Sequence, residues 1–219
     1  MAEEMRKGGR AGFARGTEEF SRVLAFSDGV FAIAMTLLVV GIAVPTLTNG
    51  GDEGELLDAY GDLRSEVISF FISFAVIGRY WVAHHQMFGL LRAMDYTLVW
   101  INLLYLGFIA FLPFPTDVLG NYFENPISVA TYALAVAVVS GLEVMQFRHA
   151  YRAGLLLREM PEPVYRWGVL ASSLPVALFV LSVPIAFLST VAAVVVWFLP
   201  APTQLVLNRL RPAEAADWL

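Results

Sequence analysis

The sequence predicts an all-α membrane protein with six transmembrane helices and both termini in the cytoplasm. Three observations predict it: an apolar composition, six apolar segments of bilayer length, and a one-sided distribution of basic residues. The 219 residues are 58% hydrophobic and 15% charged, with a mean hydropathy of +0.66. Soluble domains carry roughly 45–50% apolar and about 25% charged residues. A disordered chain is excluded, because such chains are poor in apolar residues. A net charge of −5 argues against a nucleic-acid partner, which would need a basic face. The absence of cysteine excludes disulfides, thiolate metal sites, iron–sulfur clusters and a cysteine nucleophile.

Residues 1–19 mix Arg6, Lys7, Arg10 and Arg15 with Glu3, Glu4, Glu18 and Glu19. A signal peptide would place a short apolar stretch and a small-residue cleavage site directly after its basic start. The segment therefore reads as a cytosolic tail, followed by a retained transmembrane domain over 20–208 and a cytosolic C-terminal tail over 209–219. The first apolar segment, 23–44, is about 22 residues long and ends at Pro45, enough to cross a roughly 30 Å hydrocarbon layer. The others are 67–87, 96–115, 127–147, 164–183 and 185–207, the last two separated at Ser182–Pro184. Runs such as 190–199 lack the alternation of a membrane β-barrel strand. Pro175 and Pro184 are acceptable in membrane helices, where neighbours satisfy the freed carbonyl groups.

Thirteen of the fourteen basic residues fall on one side of this arrangement, with Arg79 at the edge of the second connection, and only Arg64 falls on the other. The positive-inside rule then sets an even number of spans. The first external loop, with Asp52, Glu53, Glu55, Asp58 and Asp62 among Gly50, Gly51 and Gly54, predicts a mobile acidic segment, read as a solvated loop with a cation-concentrating rim as the alternative.

The chemistry-bearing residues concentrate in the first span. Asp28 lies more than a turn inside the apolar run, where an ionisable group costs about 2.5–3.5 kcal/mol on insertion scales. At about 100° per residue, Arg22, Phe26, Gly29, Ile33, Thr36, Leu37 and Val40 share one stripe, and Asp28 points more than ~100° away from it, toward neighbouring helices. The second span contributes Trp81, His84 and His85, and the third Asn102 and a Phe111–Thr116 segment. Adjacent histidines on a helix diverge, so they suit hydrogen bonding to Asp28 or Ser27 better than joint metal binding. No nucleophile elbow, P-loop, dinucleotide fingerprint or Thr-Val-Gly-Tyr-Gly filter is present.

The string Arg22-x3-Phe26-Ser27-Asp28-Gly29, continuing through Phe31, Ile33, Thr36 and Leu37, resembles the first-helix signature of the transmembrane protein 175 family of endosomal and lysosomal potassium channels. Trp81-x2-His84-His85 and Asn102 with Leu112-Pro113-Phe114 resemble its second- and third-helix patterns. The resemblance covers residues 20–116. It implies the bacterial form: a homotetramer of six-helix subunits, with a central pore lined by the first helix and no carbonyl filter. It further implies a constriction at Ile33 with adjoining rings at Leu37 and Val40, and a pore-lining hydroxyl ring at Thr36. Val40 is smaller than the leucine common in such a ring. Arg22, Ser27, Asp28, His84, His85 and Asn102 match the family's buried polar network, with one histidine as the participant. An apolar ring built from four copies of one residue can close a pore by dewetting, without a plug. Gly29 and Gly41 flank the rings and would permit bending or close helix packing.

The expected function is thus a potassium-permeable cation channel in the cell membrane, with K+ near Ile33 and Thr36 as permeant ion, and with the bilayer, monovalent cations and its own copies as partners. No cofactor, structural metal, enzymatic activity or nucleic acid is expected. The alternative is a proton-coupled secondary transporter using Asp28 and His84. Against it, residues 1–110 and 111–219 carry no internal repeat. A membrane scaffold or enzyme is the third reading, and it lacks a catalytic constellation.

Overall fold

The computed structural model describes residues 12–47, 52–209, 211, 212, 214, 215 and 218. The expectations for Arg6, Lys7, Arg10, Gly50, Gly51 and the rest of the C-terminal tail lie outside the described residues. In chain order the elements are β1 (Gly12–Ala14), α1 (Glu18–Leu37) with a 3-10 turn over Leu38–Gly41, α2 (Glu53–Asp62), α3 (Arg64–Gly89), β2 (Ala93–Asp95), α4 (Tyr96–Phe111), α5 (Pro113–Asn121), α6 (Pro126–Arg152), α7 (Glu162–Ala186), α8 (Thr190–Val196) and α9 (Pro200–Arg209). Among the described residues, five helical stretches are long and apolar enough to cross a membrane: Glu18–Gly41, Arg64–Gly89, Tyr96–Asn121, Pro126–Arg152 and Glu162–Ala186.

The helix ends follow from local chemistry. Thr17 Oγ1 accepts from the Phe20 amide at 3.3 Å and starts α1, with Glu18 and Glu19 in the first turn where the helix dipole favours negative charge. Asp95 Oδ1 accepts from the Leu98 amide at 2.8 Å to start α4, and Asn125 Oδ1 accepts from the Ile127 amide at 2.9 Å to start α6. α6 stops at Gly154, whose φ of 66° lets the Leu155 amide reach back to the Ala150 carbonyl at 2.9 Å and its own amide to Tyr151 at 3.1 Å. Pro113 cannot donate to the preceding turn, so the Leu112 amide bonds to Ile109 instead and the third span tightens before α5.

The sixth expected segment departs from a single helix, and its boundary is corrected. Pro184 lies inside α7, and the break falls at 187–189, where Ser189 Oγ accepts from the Ala192 amide at 3.2 Å. A second break at 197–199 carries 3-10-type bonds into Pro200, because Pro200 and Pro202 supply no amide hydrogen to the preceding turn. The acidic loop is also corrected: Glu53–Asp62 is a helix. So is Arg79, which lies ten residues before the end of α3, inside the second span. The stretch read as an N-terminal tail is folded from Gly12 onward.

α6 is the centre of the bundle. Its residues Val129, Tyr132, Ala133, Val136, Val139 and Ala150 are fully buried, packed by α4, α5, α7 and α8. The small residues Ala133, Ala137 and Gly168 allow close helix approach. A Cβ on Gly168 of α7 would meet Phe147 of α6 at 3.0 Å. At one end, β1 pairs antiparallel with β2 in the register Gly12↔Asp95, Phe13↔Met94 and Ala14↔Ala93. Arg15 Nη1 donates to the carbonyls of Gly89 at 2.6 Å and Leu91 at 3.1 Å, closing the C-terminus of α3 with a positive charge. His149 Nε2 meets both carboxylate oxygens of Asp95 at 2.9 Å, so the end of α6 is tied to the start of α4. The chain entering α1 is therefore anchored to the connections after α3 and α6.

Candidate functional site

α1 has two opposite faces. Ser27, Phe31, Ala34 and Leu38, spaced four, three and four residues apart, are buried against α3 and α4. The stripe of Phe26, Ile33, Thr36, Leu37 and Val40 points the other way and is exposed in the single chain. Ile33 is 60% exposed and Val40 74%. Thr36 Oγ1 donates its hydrogen to the Ile33 carbonyl at 2.9 Å. Its hydrogen is therefore used within its own helix, and its lone pairs remain available to accept on the exposed side.

The buried face is held by a polar chain across three helices. Asn102 Nδ2 of α4 donates to Ser27 Oγ of α1 at 3.1 Å, and Ser27 Oγ donates to the Val23 carbonyl at 2.8 Å. Asn102 Oδ1 then accepts from His84 Nε2 of α3 at 2.9 Å. The direction of each bond follows from Ser27, whose single hydrogen is used within its own helix. His84 is walled by rings, with centroids at 4.1 Å to Phe88, 5.5 Å to Phe31 and 5.8 Å to Tyr105. Buried polar groups without partners are costly, so this chain sets the rotation of α1 about its axis.

The remaining expected network members lie outside that chain. Asp28 is exposed in the single chain, and its Oδ1 accepts from Trp81 Nε1 of α3 at 2.9 Å. Arg22 is also exposed and lies 3.9 Å from Glu18, one turn earlier on the same helix. His85 is exposed, and its ring lies 5.8 Å from that of Trp81. Asp28 and His84 share no hydrogen bond. Gly41 is a close-approach position, since a Cβ there would meet Asp117 Oδ1 at 2.9 Å, whereas a Cβ on Gly29 would meet nothing within 4 Å.

Two further polar groups went unread in the sequence. Ser73 of α3 donates to the Tyr132 hydroxyl of α6 at 3.0 Å, and Thr116 Oγ1 lies 2.8 Å from Ser73 Oγ. Arg79 Nη1 lies 3.5 Å from Glu143 Oε2, pairing a half-exposed guanidinium with a largely buried carboxylate. Charges within apolar spans were the available signal for that pair.

Residues 22–113 match the family model described as endosomal/lysosomal potassium channel TMEM175. The potassium channel B446_29190 of Streptomyces collinus is 37% identical over 142 residues, covering 63% of this chain and 68% of that one. The endosomal/lysosomal proton channel TMEM175 of Rattus norvegicus is 31% identical over 153 residues, covering 67% of this chain and 31% of that longer protein. The crystal structure of a lysosomal potassium-selective channel TMEM175 homologue from Chamaesiphon minutus superimposes with a TM-score of 0.69 at 29% identity. That match covers 90% of this chain and 100% of the other. The family is one of ion channels rather than enzymes, and matched motifs, relatives and fold agree that this multi-pass membrane chain belongs to the TMEM175 family of channels.

Proposed function

We propose that four copies of the chain gather their first helices around an axis and form a potassium-permeable cation channel in the cell membrane. In this reading the stripe on α1 faces the axis. Ile33 forms the constriction, Leu37 and Val40 form adjoining apolar rings, and Thr36 offers hydroxyl oxygens to a partly dehydrated cation. A ring of apolar side chains closes such a pore by excluding water, and a small outward movement or rotation of the helices wets it. The Ser27–Asn102–His84 chain holds the helix in the rotation that presents the stripe. The observation that carries the reading is the exposure of Ile33, Thr36, Leu37 and Val40 on the face of α1 opposite its buried one.

The remaining topology follows the basic residues. The arginine-rich end, where Arg15, Arg92, Arg148 and Arg152 lie, faces the cytoplasm. Residues 190–209 form a sixth, broken span of about 30 Å at helical rise, which returns the C-terminus to the same side. A proton relay through Asp28 and His84 lacks a connecting bond and is not favoured.

The test is a reversal potential, recorded with purified protein in a planar bilayer under a potassium–sodium gradient. A potential displaced toward the potassium equilibrium value is expected. Absence of current, or a potential that follows only an imposed pH gradient, as the vertebrate relatives' name would suggest, would overturn potassium permeation. Detergent-solubilised protein should have the mass of four subunits, and a stable monomer would overturn the central axis.

A further inference from the structure

Near the arginine-rich end, a groove of about 510 Å³ opens between α4 and α6. Its rim is formed by Arg148, His149 and Arg152 in the last turns of α6. Arg148 and Arg152 are four residues apart, so they stand on one face of the helix. Both are exposed, and neither has a hydrogen bond or ion pair among the described residues. His149 is turned to Asp95 at 2.9 Å, so the acidic residue at this rim is already matched. The floor is apolar and consists of Ile101 from α4 with Gly141, Val144 and Met145 from α6. From Arg152 to Gly141 the groove descends eleven residues, about 16 Å along the helix axis.

This polarity is that of an amphiphile with an anionic head. Two unmatched guanidinium groups sit at the membrane surface, and an apolar channel beneath them is long enough for the upper part of an acyl chain. Basic pockets between transmembrane helices recognise anionic headgroups in this way. Gly141 makes the channel: a Cβ there would meet nothing within 4 Å, so the missing side chain leaves space in the groove and not in the core. We propose that the α4–α6 groove binds an anionic phospholipid, with its phosphate between Arg148 and Arg152 and an acyl chain over Gly141 and Met145. The site needs only that this end of the bundle lie at a bilayer surface, and it is independent of which ion permeates.

Native mass spectrometry of the delipidated full chain in detergent tests this with phosphatidylglycerol and phosphatidylcholine of identical acyl chains. Preferential retention of phosphatidylglycerol is expected. At about fivefold per arginine, the R148Q/R152Q double variant should lose about 25-fold in phosphatidylglycerol affinity while its phosphatidylcholine binding stays unchanged. Gly141→Leu, which fills the floor and leaves both arginines, should weaken phosphatidylglycerol binding without changing the number of subunits in the assembly. Equal retention of phosphatidylglycerol by the R148Q/R152Q variant would overturn the site. Full retention by Gly141→Leu, or displacement of the lipid by an equal concentration of inorganic phosphate, would assign the groove to a free anion and overturn the lipid.

Discussion

α1 and α6 are both long apolar helices, yet they bury very different shares of themselves. Within the most apolar 18 residues of each span, 22% are buried in the first and 67% in the fourth. α6 spends its side chains on its own subunit, with Tyr132, Val136 and Val139 inaccessible and small residues admitting α7 closely. α1 spends one narrow face on α3 and α4 and leaves the rest free. Apolarity alone therefore does not distinguish a core helix from one that leaves most of its surface uncovered by its own chain. The distinction lies in which positions are polar and what those polar groups hold.

Breaking the α6 side should give the largest loss of stability. Tyr132→Ala removes a fully buried ring whose centroid is 4.9 Å from that of Trp197 and takes away the acceptor of the Ser73 hydroxyl hydrogen, and it should cost about 3–5 kcal/mol. Tryptophan-monitored unfolding in detergent measures it, and a cost near that of a surface change would contradict the central place of α6. Asn102→Leu cuts the chain between α1, α3 and α4 and leaves His84 and Ser27 without their partner, for about 1–2 kcal/mol. The same variant should also alter channel current, because α1 loses its rotational anchor, whereas Tyr132→Phe should not. Leu37→Ala on the exposed stripe should change subunit stability by no more than about 0.5 kcal/mol. Under the proposed gate its effect is expected in conductance, and a large stability loss with unchanged current would mean that the stripe packs rather than conducts.

Most of the spans were legible in the sequence because each is a long apolar run closed by a residue with a local physical role, such as Pro45, Asp95 or Asn125. The last segment was not. Apolarity continues across 185–199, and only the prolines and the Ser189 cap locate the breaks. The acidic loop folds as a helix over Glu53–Asp62 although none of its residues is buried, so no apolar face marked it among the charges and glycines. Of the two adjacent histidines, the sequence alone left the choice open. The buried stripe of α3, Ser69, Ser73, Ile77, Tyr80, His84 and Phe88, repeats every three or four residues and selects His84, placing His85 about 100° away. Arg22 and Asp28 were drawn toward the polar network by their position in a motif. Their actual neighbours, Glu18 and Trp81, are set by the helix turn and by the packing of α3, which the motif does not encode.

The proposed gate is the exposed face of α1. Single-channel recording of Ile33→Asn in a planar bilayer addresses it directly, because asparagine keeps a similar size while hydrating the ring. Ile33→Asn should show a conductance or open probability well above that of the parent protein. A current indistinguishable from the parent, from protein of the same subunit mass, would place Ile33 away from the ion path.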